Sequence, residues 1–268
     1  MPQPQPRATA IAEIIDELRR MEKRRGHTTQ LDERRLHRSL ARLDDSAESQ
    51  AARKAIWAQW NRDHESFDSA VTTLLKMENL SRPHSLYVNF ALMSMHALNP
   101  VLSSRLNRAA FRTEQHNLEF LRHVLRNAWH AADLECCEEV IIQLGRLKAD
   151  DYDKHNKPLQ IAKDLLETHG ITLAEFQQHI QRVFDQMRGF LTNRPDAYMG
   201  TGIATNIYDD GHREFVLEFQ LGVDDETLDT IDEALLELLS DTNRVRPALN
   251  KCVGVLVRDH PSEITEAC

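Results

Sequence analysis

The chain has 268 residues, of which 41% are hydrophobic and 28% charged, with a formal net charge of -9 and only 9 Gly and 9 Pro. That length holds one large domain or two ordinary ones, and so few glycines and prolines argue against long linkers and against an all-β design. No apolar run approaches the roughly 20 residues needed to cross a bilayer, so no membrane partner is expected.

Residues 1–7 read MPQPQPR, a disordered polyproline-like lead-in without the hydrophobic centre of a signal peptide. From residue 8 to 194 the apolar spacing is helical. Ile11, Ile14, Ile15, Leu18 and Met21 form the first stripe, which Gly26 is expected to stop, with Lys23, Arg24 and Arg25 in its last turn. A second helix carries Leu36, Leu40 and Leu43, and a third places Trp57 and Trp60 one turn apart. Further stripes run through Phe67/Val71/Leu74, Leu118/Leu121/Leu125/Ala128 and Val140/Ile141/Leu144. Pro83, Pro100 and Pro158 are expected between helical stretches, with a polar loop over 149–158. Thr172 and Glu175 form a capping box for a helix burying Phe176, Ile180, Val183, Phe184 and Met187. Asn193–Arg194–Pro195 is the expected domain boundary.

Beyond it the period changes to 2. Ile203, Thr205 and Ile207 share one face, Asp209–Asp210–Gly211 turns the chain, and Phe215, Leu217, Phe219 and Leu221 return on one face. Asp224 opens a helix with the stripe Leu228, Ile231, Leu235, Leu238, and this helix should pack on the apolar face of the sheet. The continuous apolar run Cys252 to Val257 reads as a strand covered on both sides. The expected fold class is therefore mainly α. An N-terminal multi-helix bundle or irregular α-solenoid (8–194) precedes a small C-terminal α+β unit of β-hairpin, helix and β (195–268). No fixed internal period is found, and the Trp–Leu–Gly–Tyr pattern of tetratricopeptide repeats is absent.

From Ala197 onward 15 Asp/Glu face 5 Lys/Arg, so the negative charge belongs to the C-terminal unit, which suits a basic partner and repels nucleic acid. Four cysteines, Cys136, Cys137, Cys252 and Cys268, make a poor disulfide framework and point to a reducing, cytoplasmic setting.

Candidate chemistry is sparse. Asp151, Asp153 and His155 alternate in an acidic stretch, but a calcium loop starting at Asp151 would need Gly and Glu where Asn156 and Ala162 stand. Cys136 and Cys137 point about 100° apart on a helix and cannot converge on one zinc ion. Arg112/His116 and Arg126/His130 are Arg-x3-His pairs, shorter in spacing than the Arg-x4–6-His signature of HEPN-type ribonucleases, and they support no ribonuclease assignment. No phosphate loop or catalytic motif is present, and no cofactor or metal is expected. Arg35, Arg38 and Arg42 line one face of the second helix and are the partner-binding candidates, on a surface that suits an acidic protein.

These features favour a non-catalytic protein–protein interaction or regulatory adaptor. Its partner is another protein, and self-association through the sheet edge or through unlike charged halves is open to it. Two alternatives stand beside this reading. One is an enzyme with a dispersed site, whose sign would be a pocket with perturbed carboxylates between the two domains. The other is a nucleic-acid-associated regulator using the arginine-lined helices.

Overall fold

The computed structural model describes residues 7–25, 28–81, 83–209, 211 and 213–260. The lead-in over 1–6, the Gly26 stop, Asp210 of the turn and Cys268 lie outside the described residues.

Among the described residues ten helices come first: α1 (Arg7–Glu22), α2 (Gln30–Leu40), α3 (Ala47–Trp60), α4 (His64–Leu75), α5 (Pro83–His96), α6 (Pro100–Thr113), α7 (Leu118–His130), α8 (Leu134–Arg146), α9 (Tyr152–Thr168) and α10 (Leu173–Leu191). After them come β1 (Tyr198–Ile207), β2 (Arg213–Gly222), α11 (Asp225–Ser240), the short α12 (Pro247–Asn250) and β3 (Val253–Asp259). The fold is mainly α with a small C-terminal α+β unit, as expected.

A recurring corner organises the helices. Arg62, Leu98, Ala132 and Gly170 all have φ between 52° and 60°, and they fall between α3 and α4, α5 and α6, α7 and α8, and α9 and α10. At each corner the next residue's N–H reaches back five residues: Asp63 to Ala58 at 2.9 Å, Asn99 to Ser94 at 2.8 Å, Asp133 to Ala128 at 2.9 Å and Ile171 to Leu166 at 2.8 Å. This is the Schellman closure of a helix C-terminus. In the first three corners that same residue caps the following helix. Asp63 accepts from Ser66 N, Asn99 from Leu102 N and Asp133 from Cys136 N, at 3.0, 2.9 and 3.1 Å. One residue thus ends a helix and starts the next, and α3 packs on α4, α5 on α6 and α7 on α8. The sequence carries no fixed period, yet the backbone repeats.

Pro158 does not separate helices. It lies in the second turn of α9, so the expected loop shrinks to the residues before Tyr152. Its missing N–H leaves the Lys154 carbonyl without an intrahelical donor, a cost the half-buried, near-terminal position tolerates.

The sheet has the order β1-β2-β3, with β1–β2 antiparallel and β2–β3 parallel through α11. Phe215, Leu217, Phe219 and Leu221 are buried on one face. Phe215 meets Phe176 edge-on at 4.9 Å and Phe219 meets Phe184 at 5.3 Å, so α10 covers much of this face. The helix expected to pack on this face, α11, lies along α10 and touches β3. Nor is β3 covered on both sides: Val255, Leu256 and Val257 are half-buried, because among the described residues β3 is an outer strand with a neighbour only in β2. Buried apolar residues form two clusters, one from α1 to α6 and one running from the end of α5 through α7–α10 into the sheet and α11.

A buried ionic clasp sits where both ends of the helical array meet. Glu22 at the end of α1 receives Arg25 Nε at 2.8 Å and Arg62 Nη2 at 3.3 Å. Arg25 also donates to the carbonyls of Trp60 and Pro195, and its guanidinium lies 4.9 Å from the Trp60 ring centre. Arg62, fully buried, donates to His96 O at 3.1 Å and Ala197 O at 3.2 Å. The two guanidiniums therefore hold α1, the first corner, the end of α5 and the stretch leading into β1.

Candidate functional site

The arginines singled out from sequence meet in one place. Arg35, Arg38 and Arg42 line a cleft of about 1210 Å³ between α1 and α2, together with Arg20, Ile14 and Leu43 and with the carboxylates of Glu13, Glu17 and Asp44. Arg42 lies past the end of α2, beyond Leu40, and reaches the cleft from the turn rather than from a helix face. The Thr29 capping box fixes the start of α2, and Leu36 and Leu40 bury its other face. Glu17 on α1 anchors that packing, its Oε1 forming an ion pair with Arg35 Nε at 2.5 Å and its Oε2 accepting a hydrogen bond from Ser39 Oγ at 2.9 Å. The three arginines thus differ in role. Arg35 is engaged by Glu17. Arg38 reaches only its own helix, Nε to Arg34 O at 3.3 Å, and among the described residues neither Arg38 nor Arg42 has a carboxylate partner.

A second concavity of about 640 Å³ opens between α7, α9 and β1. Leu125, Ile141 and Pro158 line its apolar part, and the Trp129 indole is locked by donating Nε1–H to Ile203 O at 3.3 Å. Asp151 accepts a two-pronged contact from Arg122 at 2.7 and 3.0 Å and a contact with His155 Nε2 at 3.1 Å. The Arg122 hydrogen bonds hold the Asp151 carboxyl down at about 2. It stays ionised at neutral pH, so it can position a neighbour but cannot donate a proton. Arg126 Nη2 lies 2.8 Å from His123 Nδ1, and burial and the Arg126 charge both push His123 below its ordinary value.

No family model, no curated protein and no solved structure matches this chain.

The remaining candidates resolve plainly. The acidic stretch around Asp151 ties α9 to α7, and no group of three metal-ligating side chains exists among the described residues. Cys136 and Cys137 are fully buried, and burial pushes the Cys136 thiol up to about 12 and Cys137 well above its ordinary value. Arg112 ends on α6 while His116 sits in the following loop, so that pair is not on one helix. Trp60 is buried beneath Arg25, whereas Trp57 is half-buried and meets His37 edge-on at 5.8 Å. Trp129 and Lys154 were not singled out from sequence, and Arg126 was noted only for its spacing to His130. Their helical spacing is ordinary, and only the fold sets α7 against α9 and β1.

Proposed function

We propose that the protein is a non-catalytic interaction module of a reducing, cytoplasmic setting that docks an acidic segment of a partner protein between α1 and α2. One observation carries this reading. Among the described residues Arg38 and Arg42 stand without a carboxylate partner in a cleft that Ile14 and Leu43 line beside Glu13, Glu17 and Asp44, while the neighbouring Arg35 is already engaged by Glu17. Guanidiniums recognise carboxylates by paired, directional hydrogen bonds, and apolar walls beside them suit a segment mixing acidic and aliphatic residues. A stack of packed helix pairs supplies the rigid surface such docking needs.

The test compares wild type with an Arg38→Glu/Arg42→Glu variant in a quantitative pull-down, followed by titration of the captured protein's acidic segment. Both arginines are exposed, so the variant should keep its helical spectrum. Charge reversal should weaken binding more than tenfold and flatten its salt dependence. Identical capture by both proteins would remove the cleft from the function.

A further inference from the structure

The pocket between α7, α9 and β1 shares no residue with the arginine cleft and supports an inference beyond the docking reading. Its volume, about 640 Å³, falls within the range of small-molecule sites, and it opens where the helical array meets the sheet. Its charges are not equivalent. Arg122 is neutralised by Asp150 at 2.9 Å and by Asp151. Glu119 stands at the rim, 86% exposed, next to His123. Because an arginine can only donate, the 2.8 Å contact makes His123 Nδ1 an acceptor, so Arg126 meets a neutral ring there and keeps its full charge. Lys154, on the facing helix, has no carboxylate partner among the described residues. Two uncompensated cations therefore flank an apolar floor closed by an indole.

The strand edge adds hydrogen-bonding capacity. Thr205 pairs with Phe215, whose N–H donates across to Cys252 O at 2.7 Å. The backbone groups of Phe215 thus face β3, so those of Thr205 point away from β2, toward the side on which Thr205 lines the pocket.

We propose that this pocket binds a small aromatic anion, its ring against Trp129 and Pro158 and its carboxylate or phosphate on Arg126 and Lys154. The indole offers a flat, immobilised surface for a ring, and the two cations come from different helices, so an anionic group would bridge α7 and α9.

Calorimetric titration of the full chain with naphthalene-2-carboxylate, 2-naphthyl phosphate and the neutral naphthalene-2-carboxamide tests this. One-to-one binding of at least one anion is expected, with the amide roughly tenfold weaker or worse. The tighter of the two anions identifies which group the cations favour. Arg126→Gln and Lys154→Gln, both at exposed positions, should each weaken the anion roughly tenfold without changing the circular dichroism spectrum. Arg42→Gln, in the other cleft, should leave this affinity unchanged. Three results would overturn the proposal: no saturable binding of either anion up to about 5 mM, equal affinity for amide and anions, or full affinity in the two charge variants.

Discussion

Glu22→Gln offers a sharp test of the clasp. Burial alone would raise the Glu22 carboxyl above its ordinary 4.5, but the charges of Arg62 and Arg25 and the Arg25 hydrogen bonds outweigh it and hold the group at about 2. A carboxyl bound more weakly to its proton in the folded state stabilises that state above its unfolded value. The stabilisation is lost as pH falls from about 4.5 towards 2, and the difference corresponds to about 3 kcal/mol at pH 7. Replacing Glu22 removes this contribution and also leaves the Arg25 and Arg62 charges buried without a counter-ion, so the loss at pH 7 should be about 3–5 kcal/mol. Urea unfolding followed at 222 nm, at pH 7 and pH 3, measures both parts. Burial also depresses His64 to about 3 and His179 to about 4. Their stabilisation is present above 6.5 and fades on acidification in both proteins. His96, lowered to about 4 by burial against the opposing pull of the Glu22 charge, changes with the substitution. The difference between wild type and variant therefore reports Glu22 together with its coupling to His96. Proteinase K gives a second readout: Arg25 holds the Pro195 carbonyl, so cleavage near 194–197 should be slow in wild type and fast in the variant. A variant within about 1 kcal/mol of wild type at pH 7, with a parallel pH profile, would refute the reasoning.

The corners make separate predictions. Lys148, between α8 and α9, has the same left-handed backbone at φ 56°, with Ala149 N–H reaching Leu144 O at 3.0 Å. Its side chain is exposed, so Lys148→Gly should raise stability by up to about 1 kcal/mol in urea unfolding, through relief of left-handed strain. Ala132→Gly should come out near neutral in the same assay, because its buried methyl, worth about 1 kcal/mol, is lost with the strain. Asp133 caps α8 and takes both prongs of Arg108 at 2.7 and 3.0 Å. Asp133→Ala should therefore cost about 2–3 kcal/mol, and Asp133→Asn, which keeps a capping oxygen, should cost less. Cys136 and Cys252, with thiols pushed up to about 12 and 11 by burial, and Cys137 should resist iodoacetamide until unfolded, as site-resolved mass spectrometry would show.

The helices were legible because their signals are local. The stripe Ile11, Ile14, Ile15, Leu18 and Met21 is buried as its spacing requires, and the Thr172–Glu175 capping box forms both of its hydrogen bonds. The corners were not legible, because left-handed positions are ordinarily marked by glycine and three of the four are held by Arg62, Leu98 and Ala132. What signal existed lay one residue on, in Asp63, Asn99 and Asp133, a short polar residue before each new apolar run. Pro158 misled because a proline in the second turn of a helix looks the same as one that ends a helix. The arginine cleft was visible as a row of charges on α2, but that Arg35 would be engaged by Glu17 depends on how α1 packs. The clasp was out of reach. Arg25 reads locally as a cation at a helix end, and its partner at Pro195 is 170 residues away in sequence.

That separation bears on how the chain comes apart. An array of stacked helix pairs ordinarily melts from its ends, each unit leaning only on its neighbours. Here residues 25 and 62 grip residues 195 and 197, so the first units and the last are fastened to each other and neither end can fray alone. Hydrogen exchange should accordingly show amides of α1 and α10 opening together in one step, and the chain should behave as a ring in which every helix shares the fate of the fastening.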